Sequence, residues 1–291
     1  MSLDICITGL GLIGGSLARG LRNNGFTGKI IGVEIDPHHR TIAMYRGLAD
    51  EFMPLEEAVK QSDIIILCAP VNINRQLLPS VLDMIAGTSK VVTDMGSTKS
   101  LIAAAVKDHT ARGRYVAAHP MAGTEHSGPA AALDDLFQNK VAIICDREKS
   151  DDDALDLITA LLQSLKMNIQ YMNSTDHDVH VAYVSHISHI TSFALALCVL
   201  DKEKNASNIL SLAAGGFDST VRLAKSNADT WAPIFIGNSG PLLEVIDTYI
   251  EKMSLFKQHI LNGDNESLRG LMKEANVIET ILNNNTRTNK K

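Results

Sequence analysis

The sequence predicts an open, doubly wound α/β sheet followed by an all-helical second half, and three observations carry that expectation. Short β-branched runs alternate with stretches of helical period up to Met172. Several of those runs are apolar at every position, as in Ile64-Ile-Ile-Leu-Cys-Ala69, which is what a strand covered on both faces requires. Strand signals then cease after Met172. Alternation of β and α at this spacing builds a largely parallel sheet with helices on both sides.

Taken in chain order, strands are expected at Leu3–Thr8, Lys29–Glu34, Asp63–Ala69, Lys90–Asp94, Tyr115–Ala118, Val141–Cys145 and Asn168–Met172. Helical periodicity falls between them around Leu12–Arg22, Ile73–Ile85 and Ala154–Leu165. Thr175–Leu200 reads as one long helix, with Val179, Ala182, Tyr183, His186, Ile190, Phe193, Ala194 and Leu197 on one face. Ser239-Gly-Pro241 opens another, since Pro suits a first helical turn, and Asp264 can cap a last one. These two carry apolar stripes, Leu242 to Ile260 and Leu268 to Ile281. The tail from Asn283 to Lys291 has nothing to bury and is expected to fray.

The 291 residues are 45% apolar and 21% charged, enough to fill about two cores and to exclude disorder as the main state. The formal charge of −6 disfavours a nucleic-acid partner. No uninterrupted apolar run approaches the roughly 18 residues of a membrane span, so no membrane role is expected. The N-terminus enters a strand directly, without the basic flank and apolar core of a signal peptide. Cys6, Cys68, Cys145 and Cys198 lie far apart inside apolar runs. Buried, reduced thiols in a cytoplasmic protein are the expectation.

The segment Gly9-Leu10-Gly11-Leu12-Ile13-Gly14 follows the first strand and opens the first helix. In a Rossmann-type sheet, the three glycines serve a tight turn, approach to a pyrophosphate and close helix packing, while the helix N-terminus receives the phosphate charge. Glu34 ends the second strand, 20 residues past Gly14, where a carboxylate binds a ribose diol. That carboxylate would repel a 2′-phosphate, so NAD is expected over NADP unless Arg40 reaches in instead. The expected division is a dinucleotide-binding domain over 1–172 and a helical domain over 173–291.

Ligands of such sheets lie beyond the carboxyl ends of the strands. There the sequence sets Ala69-Pro70, Gly96-Ser97-Thr98-Lys99 and His119-Pro-Met-Ala-Gly-Thr124-Glu125. Ser97 and His119 can both handle a proton beside a nicotinamide, and a neutral His can take one from an alcohol as hydride leaves. In the helical half, Ser185-His186-Ile-Ser-His189 puts two histidines on one helix face. Asp176, His177, Asp178 and His180 lie two turns earlier, but no clear third ligand accompanies the pair and no metal is expected. Arg222, after Gly215-Gly-Phe, either grips a substrate carboxylate or joins Lys225 on a solvated face. Trp231 either walls a pocket or fills the core.

In their order along the chain, Gly9–Gly14, Thr93–Lys99, His119–Gly128, Ser185–His189 and Gly215–Arg222 resemble the prephenate dehydrogenase family, which also contains arogenate dehydrogenases. The resemblance spans nearly the whole chain and implies a dinucleotide domain followed by a helical domain that forms a homodimer. It implies that His119 takes the 4-hydroxyl proton of prephenate with Ser97 hydrogen-bonded beside it, while hydride passes from C4 to NAD⁺ and loss of CO₂ restores aromaticity. By the same resemblance, Arg222 binds a substrate carboxylate and His189 lies in the substrate pocket with Ser185 and His186. Thr124, Glu125 and Trp231 border that pocket. Ser188 stands where the family commonly has Pro. Neither a fused chorismate mutase nor an added regulatory domain is expected. Arogenate is the competing substrate. β-Hydroxyacid dehydrogenases carry a Gly-x-x-x-Lys helix that the helical half lacks, and Ser97, His119 and Arg222 together disfavour a non-catalytic NAD-binding module.

Overall fold

The computed structural model describes residues 3–204 and 209–288. Its strands are β1 (Ile5–Thr8), β2 (Ile30–Val33), β3 (Glu51–Phe52), β4 (Ile64–Leu67), β5 (Val91–Asp94), β6 (Tyr115–Pro120), β7 (Val141–Cys145) and β8 (Asn168–Met172). They form one sheet in the order β3-β2-β1-β4-β5-β6-β7-β8, parallel throughout except between β6 and β7. Seven strands stand where the sequence places them. The addition is β3, whose two residues are too few to leave a period.

Alternate residues of the central strands serve two cores. Ile5, Ile7, Ile64 and Ile66 enter one, and Cys6, Ile65 and Leu67 the other. That is why those runs are apolar at every position rather than at every second one. The helices between strands are α1 (Leu12–Asn23), α2 (Pro37–Tyr45), α3 (Leu55–Gln61), α4 (Val71–Ile85), α5 (Ser100–Ala105) and α6 (Asp152–Ser164). Beyond the sheet follow α7 (Ser174–Val181), α8 (Ile187–Glu203), α9 (Gly215–Thr220), α10 (Ala228–Gly237), α11 (Ser239–Leu261) and α12 (Asn265–Thr288). The chain forms two compact units, Met1–Ser239 and Gly240–Lys291, so α7 to α10 share a unit with the sheet.

The helix expected over Thr175–Leu200 is a continuous helical run, but a π-helical turn at Ala182–His186 joins α7 to α8. Its buried side shares only Ala182 and His186 with the apolar stripe. Val179, Tyr183 and Leu197 are exposed, whereas His177, Asp178, Val181, Ala182, His186, His189 and Ser192 are buried. The side facing α5 and the turn Arg222–Lys225 is polar because its groups bond to one another and to backbone, which is the condition for burying them.

The run Ser174–Glu203 is long and apolar enough to cross a membrane, with a mean hydropathy of 1.5 in its best window, of which 17% is buried. The expectation that no segment approaches that size is corrected here: it counted unbroken apolar runs, and a window average absorbs Ser, Thr and His. One such helix is weak evidence of a span, since a helix meant for a protein interface passes the same test.

In the second unit, Asp264 caps α12 as expected, accepting from the Ser267 N–H at 3.0 Å. The helix continues through Thr288 where fraying from Asn283 was expected, because extending a formed helix costs far less than starting one. Residues 289–291 lie outside the described residues. All four cysteines are free thiols. Burial pushes Cys6 and Cys145 up to about 12. Cys68 is half-buried, and Cys198, against expectation, is exposed because its apolar run belongs to the outward stripe of α8.

Candidate active site

The glycine loop leaves β1 at the point where the sheet order reverses. Gly9 has φ +77°, and a Cβ there would lie 2.9 Å from the Ala69 nitrogen. A Cβ on Gly14 would collide with the Gly9 carbonyl oxygen, so the close approach of α1 to the loop depends on its absence. Around Gly11 a Cβ would meet open space, so the front of the loop stands clear for a pyrophosphate. Leu12 and Ile13 begin α1, where backbone N–H groups have no intrahelical acceptor.

Glu34 is fixed beside that loop. Its Oε2 accepts from the Leu10 N–H at 3.1 Å and its Oε1 from the Asp36 N–H at 3.0 Å. Arg40 is turned to β3, stacked over Phe52 and donating to the Phe52 carbonyl at 3.4 Å. The open cradle and a carboxylate at the end of β2 therefore fit NAD. Pro70 stands just before α4, after β4.

His119 is the penultimate residue of β6, which is parallel to β5, and so lies at the same edge as the segment bearing Ser97. It is buried, and burial holds its imidazole well below the usual range, with His177, Lys99 and His186 pushing the same way. Its Nδ1 lies 2.8 Å from the His177 Nε2, and the His177 Nδ1 lies 2.8 Å from Asp178 Oδ1. The partner that the structure gives His119 is thus His177 rather than Ser97, which is half-buried. Asp178 also accepts from the backbone N–H groups of Lys99 (2.7 Å) and Ser100 (2.8 Å). Under this chain, buried Lys99 pairs with Asp94, whose other oxygen accepts from the Tyr115 hydroxyl at 2.6 Å.

His186 is buried, with its Nδ1 3.1 Å from Asn238 Nδ2, which also donates to the Asp178 carbonyl at 2.7 Å. Burial lowers it to about 4. His189 stacks on Trp231, with ring centroids 3.3 Å apart, and its Nδ1 lies 3.1 Å from the Ser185 carbonyl oxygen. Ser188 lies in the first turn of α8, next to His189. Arg222 meets Glu125 at 2.8 Å, joining the turn after α9 to the segment after His119. The backbone N–H of Glu125 itself and the Arg222 guanidinium hold that carboxyl below its usual range. Thr124, on the same exposed segment, accepts from the His126 N–H at 3.2 Å.

His177 and His186 therefore stand close behind His119, and Trp231 packs against His186 and His189. The sequence reading missed His177 and Asp178 in this role, along with Lys99, Asp94, Tyr115 and Asn238. A usable signal existed: His177, Asp178, Val181, Ala182, His186 and His189 recur at helical spacing as one stripe.

A glycine cradle at the reversal of the sheet and a buried, uncharged histidine at the same strand edge define a dinucleotide-dependent oxidoreductase. Comparison with known proteins narrows the class. Residues 17–171 match the prephenate dehydrogenase nucleotide-binding domain, and residues 173–274 the prephenate dehydrogenase dimerization domain. A prephenate dehydrogenase of Bacillus subtilis (strain 168) is 30% identical over 94% of this chain and 75% of its own length. The crystal structure of prephenate dehydrogenase from A. aeolicus with hydroxyphenyl propionate and NAD⁺ superimposes with a TM-score of 0.83. It is 27% identical, over 97% of this chain and 99% of that one. Synechocystis arogenate dehydrogenase gives a TM-score of 0.74 at 28% identity, over 96% and 100% of the two chains. The chain belongs to the prephenate dehydrogenase family and is an NAD-dependent dehydrogenase of the tyrosine pathway.

Proposed function

We propose that this chain oxidatively decarboxylates prephenate to 4-hydroxyphenylpyruvate, with His119 as the base. The observation that carries the reading is the setting of His119: it is buried, which favours the neutral imidazole, and bonded through Nδ1, which leaves Nε2 for the substrate hydroxyl. NAD⁺, when bound, would supply the hydride acceptor, and Gly9, Gly11, Leu12, Ile13, Gly14, Glu34, Pro70 and Ser97 are the residues that would hold it. His119 Nε2 receives the 4-hydroxyl proton as C4 is oxidised. Ser97 steadies that hydroxyl. Loss of CO₂ is then driven by aromatisation, so the protein has to position the substrate and neutralise its charge.

Arg222 offers five N–H donors, more than its pairing with Glu125 uses, and binds a substrate carboxylate. His189 and Trp231 form one wall of the substrate pocket, Ser185 and His186 its floor, and Thr124 and Glu125 its rim. Glu125 is already charge-balanced by Arg222, so it is a weak lure for the ammonium of arogenate; this supports prephenate. The division into a dinucleotide-binding part, 1–172, and a substrate and dimerisation part, 173–291, follows these roles. Four unpaired thiols support a cytoplasmic location.

The test is NADH absorbance on mixing protein and NAD⁺ with prephenate or with arogenate. Rapid reduction with prephenate is expected. Reduction with arogenate alone would reassign the substrate, and NAD⁺ binding without turnover would move the chain to a binding module. His119→Asn should keep substrate binding and lower kcat by roughly 10²–10⁴, the usual worth of a general base. Near-normal turnover in that variant would remove His119 from the chemistry.

A further inference from the structure

We propose that Asp178, acting through His177, is the positioning pair of His119: the two hold its Nε2 bare for the substrate proton and stabilise the imidazolium that forms. The proposal rests on His119 as the base.

Hydrogen-bond polarity carries the argument. Asp178 receives backbone N–H groups on both oxygens, from Lys99 at 2.7 Å and Ser100 at 2.8 Å. A carboxylate so placed only accepts, so the His177 Nδ1 that faces it at 2.8 Å must carry a proton. Neutral His177 then presents a bare Nε2, which accepts from the His119 Nδ1–H at 2.8 Å. The remaining nitrogen of His119, Nε2, is left without a proton, which is the tautomer a base needs. Asn238 fixes the far end, donating to the Asp178 carbonyl at 2.7 Å.

Charge completes it. The titratable and charged groups around the chain include Lys99 on the segment after β5, Asp94 on β5, Tyr115 on β6, Cys145 on β7, whose thiol burial keeps neutral, and His186 on the π turn. Lys99 and Asp94 neutralise one another as a buried pair, and burial keeps His186 uncharged. The formal charge left over in the cluster is that of Asp178. When His119 Nε2 takes the hydroxyl proton, its Nδ1 proton stays in place and the new positive charge meets that carboxylate across one imidazole. Such a counter-charge, already oriented and screened from water, favours the charged state without reorganisation.

The experiment compares His177→Leu, His177→Gln and Asp178→Asn with the unaltered enzyme, using prephenate and NAD⁺ over a range of pH. His177→Leu and Asp178→Asn should lower kcat by about 10²–10³ while KM and NAD⁺ affinity stay within about threefold. Removing the Asp178 charge should also move the acid limb of kcat/KM to lower pH. Gln can accept from His119 and donate to Asp178, so His177→Gln should recover at least about tenfold over His177→Leu. An unmoved limb in Asp178→Asn, together with a Gln variant no better than Leu, would overturn the proposal. His119→Asn separates the two ideas: near-normal turnover there sinks the base itself, whereas a dead His119→Asn beside a normal His177→Leu sinks only the pair. Should a variant fail to fold, ¹⁵N-histidine NMR of the unaltered enzyme decides. His119 protonated at Nδ1 is expected, and protonation at Nε2 instead would refute it.

Discussion

One methyl group at Gly14 would drive into the Gly9 carbonyl, and both atoms belong to the backbone that forms the phosphate cradle. Gly14→Ala should therefore cost about 1–3 kcal/mol of stability, as overpacking does, and weaken NAD⁺ binding; thermal melts and a nucleotide titration check both. Arg222 is half-exposed, so its replacement is a milder event. Arg222→Gln should raise the KM for substrate roughly 10- to 100-fold, the worth of a charged hydrogen bond, with kcat less affected. A KM that does not move would return Arg222 to the solvated face. His186 is held at about 4 against an ordinary 6.5, so the fold favours its neutral form. Its contribution is complete above pH 6.5 and is lost as pH falls from 6.5 toward about 4, with His119 and His177 shifted the same way. Melting temperature should fall over that window, and less steeply in His186→Gln. At this scale the sequence marked Gly14, His119 and Arg222 through local motifs. It did not mark Asp178, whose importance depends on which backbone N–H groups meet it.

Among the elements, the π turn at Ala182–His186 sets the aim of two histidines. It adds a residue to the helical turn, so α8 continues from α7 at a rotated angle. Deleting Val184, an exposed residue of that turn, should restore α-helical geometry and swing His186 and His189 away from Asn238 and Trp231. Helix content by circular dichroism should hold and NAD⁺ affinity should change little, while turnover falls by on the order of 10²-fold, the cost of small misplacement at a reacting centre. Retained activity would show that the turn is not what orients the pair. Periodicity located this helix well, since period 3.6 is local information. Of the apolar stripe it marked, only Ala182 and His186 are buried, because apolar residues meant for another surface obey the same spacing as residues meant for the core.

In the whole molecule, a large apolar surface stands uncovered in the single chain. On α11 and α12 it includes Tyr249, Ile250, Met253, Met272, Ile278 and Ile281, all exposed. Patches of that extent mark protein contacts, and the matching family domain is described as a dimerization domain. Sedimentation should give twice the 31.5 kDa of one chain, and Ile250→Arg with Ile278→Arg should shift the protein toward monomer. A monomeric parent would contradict this.

The sequence by itself determined the sheet, the glycine cradle, the choice of NAD and the strand-end histidine, since each depends on neighbours within a few residues or on a fixed spacing. Tertiary structure alone decided that His119 meets His177, 58 residues away, and that Arg222 meets Glu125, 97 residues away. No local period encodes such pairs. The first exists because parallel strands deliver their carboxyl ends to one edge and a polar helix face packs behind it, where buried polar groups need partners, and the second is a half-exposed ion pair between two segments that the fold brings side by side.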